Sequence, residues 1–327
     1  VLQISLDQVR EVLDPAATID AMAGIFQADS CEAPVRHHHT VRLADLPDAT
    51  ALLMPAWVPG RYLGAKLVNV FPSNSAVGLG AVQAVYVLFS GQTGEPLAII
   101  DGGELTPRRT AAASALAARY LARRDASRLL VVGTGRLAPH LAAAHSAVRP
   151  IRSIKVWGRD HDKAKRLARD LRGQGLVAEA ASDLTAAVAE ADIVSSATLA
   201  MAPLIKGEWL KPGTHVDLVG GFTPEMREAD DEAIRRASVF IDTPAALKEA
   251  GDIVLPIKHG ILSRDAIRAD LRDLVRGVHP GRTSEAETTL FKSVGASEED
   301  LAAAVLVYER CRDAAGERST APATACA

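Results

Sequence analysis

The chain has 327 residues, of which 48% are hydrophobic and 24% charged, with a net charge of −3; that length accommodates two domains with substantial cores. No basic run is present and aromatic content is only 4%, which disfavours nucleic-acid and membrane-surface binding. No apolar stretch approaches the roughly 20 residues that span a bilayer.

The opening VLQISLDQVREVLD lacks a basic segment followed by an apolar one, and Cys31, Cys311 and Cys326 are scattered without metal spacing. Together these predict a reducing, cytoplasmic setting and no disulfide framework. Ser5 and Gln8 have the spacing of a capping box ahead of Val9 and Leu13. After Asp14-Pro15, the residues Ile19, Met22, Ile25 and Phe26 recur at helical spacing.

From Cys31 to Ile100 the pattern changes to short β-like runs: 39–43, 50–54, 62–70, 84–89 and 97–100. Turn signals such as Pro59-Gly60, Pro72-Ser73-Asn74 and Gly91-Gln92-Thr93-Gly94 separate them. The spacing leaves no room for crossover helices, so a mostly antiparallel sheet is expected. Thr106-Pro107 then predicts a helix running to about Arg124, with Thr106 as cap. Arg108 and Arg109 would fall in its first turn, where the macrodipole disfavours cations unless an anion binds there.

At 129–132 four apolar residues run into Gly133-Thr134-Gly135-Arg136-Leu137-Ala138, followed by an alanine-rich helical pattern. In a dinucleotide site Gly133 permits the tight turn, Gly135 lets the backbone approach a pyrophosphate, and Ala138 allows close helix packing. The phosphates would meet free N–H groups at the helix start. An ordinary glycine-rich strand-to-helix turn has the same letters.

Strands expected at 153–157, 176–179, 192–195, 215–219 and 239–242 alternate with helical stretches, the signature of a parallel α/β sheet. From Ser284 the chain is expected to leave that alternation for a loop and a last helix at 298–312, capped by Ser297. Residues 315–327 have the composition of a disordered tail. The fold class expected is α/β: a Rossmann-type parallel-sheet domain over 126–283, and a discontinuous α+β domain over 1–125 and 284–314.

His37-His38-His39 invites a metal reading, but consecutive residues in an extended segment point to alternate faces and rarely converge on one ion; no metal is expected. Alternation puts His38 on the face of Arg36, where an imidazole would line a pocket.

GAKLVNVFPSN at 64–74, LTPRRTAAASALAARYLA at 105–122, LLVVGTGRLAPHL at 129–141, VDLVGGFTP at 216–224, KEAGDI at 248–253 and GRTSEAETTLFKSVG at 281–295 occur in order along one chain. In these stretches the sequence resembles the ornithine cyclodeaminase/μ-crystallin family. The resemblance implies a β-rich first domain that holds substrate and pairs across a homodimer, and a central dinucleotide domain. It implies that Arg36 binds a substrate carboxylate, that Lys66 is the active-site lysine, and that Arg109 contacts cofactor and substrate. It also implies cofactor contacts at Thr198 and Ser293, and a place for Glu249 at the border of the substrate pocket. Read alone, Arg36, Lys66 and Arg109 would pass for surface or salt-bridged residues, and Glu249 for a solvated helix-end acid.

One departure bears on the reaction. The cyclodeaminases of the family carry an aspartate after the two glycines that here are Gly220-Gly221, and this chain has Phe222. A phenyl ring neither exchanges a proton nor orients an amine, so ornithine cyclodeamination is disfavoured. Hydride transfer to an already cyclic imine remains, and GTGRLAPHL with WVPGRYLGAKLVNVFPSN is similar to the bacterial Δ1-pyrroline-2-carboxylate/Δ1-piperideine-2-carboxylate reductases of the family. That similarity implies NAD(P)H-dependent formation of L-proline or L-pipecolate, the former serving trans-3-hydroxy-L-proline breakdown. A μ-crystallin-like, NADPH-dependent ligand-binding protein and an amino-acid dehydrogenase are the alternatives.

An NAD-specific site usually carries an acid at the tip of the second strand. Here that strand ends Val156-Trp157-Gly158-Arg159, and Arg159 could pair with a 2′-phosphate. NADPH is therefore the expected cofactor, with NADH possible.

Overall fold

The computed structural model describes residues 1–28, 30–314 and 316; the tail expected to be disordered, with Cys326, lies outside the described residues apart from Gly316. The capping box forms: Gln8 N–H donates to Ser5 Oγ and Ser5 N–H to Gln8 Oε1, opening helix α1 (Leu6–Val12). Asp14 accepts from Ala17 N–H at 2.9 Å and caps α2 (Pro15–Gln27), which buries Ile19, Met22 and Phe26. Each such cap is worth about 1 kcal/mol.

Six strands make the first sheet: β1 (Leu2–Ile4), β2 (His37–Val41), β3 (Ala49–Val58), β4 (Tyr62–Val70), β5 (Val82–Ser90) and β6 (Pro96–Asp101). Their order is β1-β6-β5-β4-β3-β2, antiparallel throughout except for the parallel pairing of β1 with β6. β1 was not expected from the sequence; at three residues it is too short to show a period. Alternation along β4 sends Gly64, Lys66 and Val68 inward and leaves Leu63, Leu67 and Asn69 exposed. Opposite them across β3, Trp57 pairs with Leu63 and Leu53 with Leu67, so the outer face is broadly apolar.

Helix α3 (Gly102–Leu121) begins four residues before the expected cap. Asp101, not Thr106, caps it by accepting from Glu104 N–H at 2.7 Å, and Pro107 lies inside. Pro107 is the sixth helical residue, two beyond the four whose N–H groups lack an intrahelical partner, so it forgoes one bond, to Gly103 O. Arg108 and Arg109 are therefore beyond the first turn, and the expected conflict with the dipole does not arise.

The second sheet is wholly parallel: β7 (Arg128–Val132), β8 (Ser153–Trp157), β9 (Ala178–Ala180), β10 (Ile193–Ser196), β11 (His215–Leu218), β12 (Ser238–Ile241), β13 (Ile267–Asp270) and β14 (Thr289–Lys292). Its order is β13-β12-β14-β11-β10-β7-β8-β9. The segment after Ser284 thus does not simply leave the alternation, because β14 inserts between β11 and β12. Only four residues long and buried on both faces, β14 has no polar alternation to mark it as a strand. Helices α4 (Ala138–Val148) and α5 (His161–Gly173) follow β7 and β8. The last helix, Ser297–Ala314, returns to the first body and packs against β3, β4, α2 and α3. Ser297 is its first residue.

Candidate active site

Strand order reverses around β7, whose neighbours are β8 and β10. Open α/β sheets bind ligands outside the carboxyl ends of strands at such a point. There Gly133 adopts φ 122°, and a Cβ on it would come within 2.6 Å of Ala197 O. A Cβ on Gly158 would stand 2.6 Å from Thr134 Cγ2, whereas Gly135 faces open space. Helix α4 starts behind Leu137 with no side-chain cap. Ala138 and His140 N–H already donate to Gly135 O and Leu137 O and Pro139 has no N–H, so a ligand here would be met by the N–H groups of the turn itself, at 134–137. A cleft of about 730 Å³ runs past Gly133, Thr134, Gly135, Gly158, Arg159 and Thr198.

An adjoining cavity of about 300 Å³ is walled by Arg109, Arg136, Leu137, Thr198, Phe222 and Ser293, among others. Two hydroxyls on its wall, Ser293 Oγ and Thr106 Oγ1, are buried without a hydrogen-bond partner. A buried hydroxyl left unpaired is costly, so these atoms, with the open glycine turn, fit an extended dinucleotide. Asp160 is already committed: its carboxylate caps α5 by accepting from Asp162 and Lys163 N–H. Arg159 and Lys163 are the cationic groups on the cleft wall beside it.

Behind this cavity lies a compact charged cluster. The Lys66 ammonium, 2% exposed, contacts both Asp300 carboxylate oxygens, at 2.9 and 2.8 Å. Arg109 reaches Glu299 Oε2 at 2.8 Å and places Nε 2.7 Å from Asp300 Oδ1. Burial, with Arg109 alongside, lowers the Lys66 pKa to about 8, while Asp300 opposes the shift. Burial pushes the Glu299 carboxyl up to about 8 against the pull of Arg109. Arg109 lines the cavity, and Lys66 sits one side chain behind it.

Arg36 belongs to a neighbouring group. Its guanidinium pairs with Glu249 and donates to Val294 O and Gly295 O, at 3.0 and 3.3 Å. His38 Nε2 lies 3.6 Å from Glu249 Oε1, so Arg36, His38 and Glu249 do converge, beside a cavity of about 320 Å³ bordered by Arg36 and Glu249. The 293–296 loop divides them from Lys66 and Arg109, and a Cβ on Gly295 would stand 2.8 Å from Arg109 Nη1. Asp242 anchors that loop by accepting from Val294 and Gly295 N–H.

Thr198 directs both its N–H and its hydroxyl to Glu228 Oε1, each at 2.7 Å, and Ser196 Oγ joins them. Glu228 and Ala229 N–H donate to Asp252 Oδ1 at 2.8 and 3.0 Å. Lys292 lies 3.4 Å from Asp252 Oδ2 and donates to Gly220 O. This buried brace ties together the loops that carry Thr198 and Phe222. Burial raises the Glu228 carboxyl to about 7, with Lys292 opposing.

The model of the ornithine cyclodeaminase/mu-crystallin family matches residues 7–315. The chain belongs to this family. A Δ1-pyrroline-2-carboxylate reductase of Paracoccus denitrificans is 42% identical over 291 residues, covering 86% of this chain and 92% of the relative. The structure of Thermococcus litoralis Δ1-pyrroline-2-carboxylate reductase in complex with NADH and L-proline superimposes with a TM-score of 0.92 at 31% identity, over 96% of this chain and 98% of that one. An archaeal alanine dehydrogenase dimer with bound NAD gives 0.88 at 28% identity, over 96% and 97%.

Sequence reasoning missed six residues within this family member's site: Asp242, Glu299 and Asp300 around the arginines, and Glu228, Asp252 and Lys292 in the brace. Glu299 and Asp300 stand in the first turn of a helix, where acids are ordinary, and so carried no signal. Lys292 offered one, a lone cation closing the apolar run Leu290-Phe291.

Proposed function

We propose that this protein is an NAD(P)H-dependent reductase of cyclic ketimines, converting Δ1-pyrroline-2-carboxylate to L-proline, with the six-membered Δ1-piperideine-2-carboxylate as a second substrate giving L-pipecolate. The observation that carries the reading is the Lys66–Asp300–Arg109 cluster directly behind a small cavity that opens onto a dinucleotide-shaped cleft. Relatives named as reductases of that imine, one holding NADH and L-proline, support it.

The chemistry needs a carboxylate held, an imine carbon placed, and an imine proton supplied or retained. Arg36 and Arg109 supply guanidinium forks for the carboxylate, Arg36 by exchanging Glu249 for substrate, with His38 beside it. The reduced nicotinamide supplies the hydride when bound. Lys66, close to neutrality in its proton affinity, holds the proton that keeps the imine electrophilic. Phe222 and Val82 make an apolar side of the cavity, which suits ring methylenes better than the charged amine of ornithine.

The cofactor turn uses Gly133, Thr134, Gly135, Arg136, Leu137 and Gly158, with Thr198 and Ser293 at the nicotinamide half. NADPH is preferred over NADH because Asp160 is occupied as a helix cap and Arg159, with Lys163, remains for a 2′-phosphate. The protein acts as a homodimer whose protomers pair through the apolar outer face of the first sheet, where Leu53, Leu63 and Leu67 are 38–39% exposed; faces of this kind mark association surfaces. Leu67→Asp should then yield a monomer by light scattering, and an unchanged mass would remove that face from the interface. The domain divide follows the two sheets, with Ser297 onward belonging to the first body.

The test is NAD(P)H oxidation with the five- and six-membered cyclic imines, compared with pyruvate plus ammonia. Turnover confined to the cyclic imines establishes the reductase. Silence with all three, despite tight NADPH binding, favours a ligand-binding protein instead.

A further inference from the structure

A separate cavity of about 560 Å³ is bounded by α1 and α2 on one side and by α3 and the start of α4 on the other. Three of its lining side chains are arginines, Arg10, Arg108 and Arg136, and a single carboxylate, Glu104, faces them. Arg108 Nε and Arg10 Nε approach the same oxygen, Glu104 Oε1, at 2.8 and 3.3 Å, and Arg136 Nη2 lies 3.7 Å from Oε2. Glu104 is almost fully buried, whereas Arg10 and Arg136 each leave 54% of the side chain exposed.

Arg108 Nη1 also donates to Leu13 O at 2.9 Å, but that carbonyl brings no charge, and one carboxylate balances only one of the three guanidiniums. Asp7 adds little, because it is 90% exposed and 3.7 Å from Arg10 Nη1. His140, also on the wall, is pushed down to about 4 by burial and by Arg108, and so is neutral around pH 7 and able to hydrogen-bond without adding charge. Guanidinium forks converging on one part of this space suit a tetrahedral oxyanion, which would fill only a fraction of it.

Arg136 gives the cavity a connection. It belongs to the glycine turn and lines both this cavity and the one beside Arg109 and Phe222. Its guanidinium lies over Gly103, with Nη2 3.5 Å from where a Cβ would stand, and so points toward α3.

We propose that this cavity binds a small phosphate-like oxyanion on Arg10, Arg108 and Arg136, and that the bound anion weakens dinucleotide binding by holding Arg136 over α3. The coupling rests on the reading of the glycine turn as the dinucleotide site; the anion site does not. Coupling of this kind is reciprocal, so the dinucleotide weakens the anion equally.

The test uses the full chain and inorganic phosphate. Calorimetric titration without dinucleotide, at ionic strength fixed with chloride, should show one saturable site with Kd of about 1 mM or tighter. NADH affinity, read by nicotinamide fluorescence, should fall about fivefold at saturating phosphate, the low end of ordinary coupling. Arg10 touches no residue of the proposed active site. Arg10→Glu should abolish the phosphate heat and the effect on NADH while leaving NADH affinity in chloride unchanged, and Arg10→Gln should weaken both. Undiminished phosphate heat in Arg10→Glu would place the anion on the glycine turn itself and overturn the proposal, as would the absence of saturable heat in the parent protein. A fall in NADH affinity matched by chloride alone would reduce the coupling to screening. The phosphate heat decides the site whether or not NADH binds.

Discussion

The molecule buries two lysines beside carboxylates, and the two clusters are balanced differently. Around Lys66 two cations, Lys66 and Arg109, meet two carboxylates, Glu299 and Asp300. Around Lys292 one cation meets two carboxylates, Asp252 and Glu228. Burial disfavours charge of either sign. In the first cluster both signs move toward neutrality, the ammonium, buried and crowded by Arg109, down to about 8 and the Glu299 carboxyl up to about 8. In the second the surplus acid, Glu228, moves up to about 7. A buried lysine is therefore not one kind of object: Lys66 has a proton affinity near neutral pH that suits the proton role proposed for it, and Lys292 ties loops together through Asp252 and Gly220 O.

The largest effect should separate these roles. Lys66→Ala is expected to lower kcat by at least about a hundredfold, the usual scale for a lost proton donor, with NADH binding kept within about threefold by fluorescence. Unchanged turnover would remove Lys66 from the mechanism. Lys292→Met should act on stability instead, costing about 3–5 kcal/mol in urea unfolding because Asp252 and Glu228 lose their cation. A loss of less than about 1 kcal/mol would show that the brace does not depend on its charge.

Smaller effects follow from pH. Lys66 is protonated below about 8 and neutral above it, so kcat/KM should fall as pH rises through that value, and Lys66→Arg should carry the fall to higher pH. A fall that stayed near 8 in the arginine variant would belong to another group. Glu228 titrates in the opposite cluster. Its folded-state pKa is raised from 4.5 to about 7, so its stabilising contribution is full below about 4.5 and is lost as pH rises toward 7. Glu228→Gln should flatten the stability profile over that window, and a profile identical to the parent's would exclude the titration.

The smallest effect concerns the open cleft. Arg159→Ala should raise KM for NADPH roughly tenfold, the scale of one charge-assisted contact, and leave KM for NADH within about twofold. Equal shifts for both would sink the 2′-phosphate assignment.

What the sequence determined by itself was local. The capping box at Ser5, strand β4 from Tyr62 to Val70 and strand β8 from Ser153 to Trp157 follow from spacing, hydrophobic period and turn residues, and the structure has them where the letters put them. The glycine turn was legible because Gly133 occupies a backbone conformation and a close approach that a side chain forbids. Resemblance added Arg36, Lys66 and Arg109 to the candidate site. Only the tertiary structure decided what those residues face. Lys66 and Asp300 are 234 residues apart, and Arg36 and Glu249 213 apart, a separation at which no local pattern pairs them. Helix α3 shows the same limit on a smaller scale: Thr106-Pro107 is a sound local start signal, yet Asp101 at the end of β6 caps the helix because the sheet delivers it there. The last helix supplies Glu299 and Asp300 to the first sheet only after β14 has carried the chain through the second. Packing on both sides then makes these ordinary helix-start acids the partners of Lys66 and Arg109, and desolvation, which sequence does not display, raises the Glu299 carboxyl to about 8.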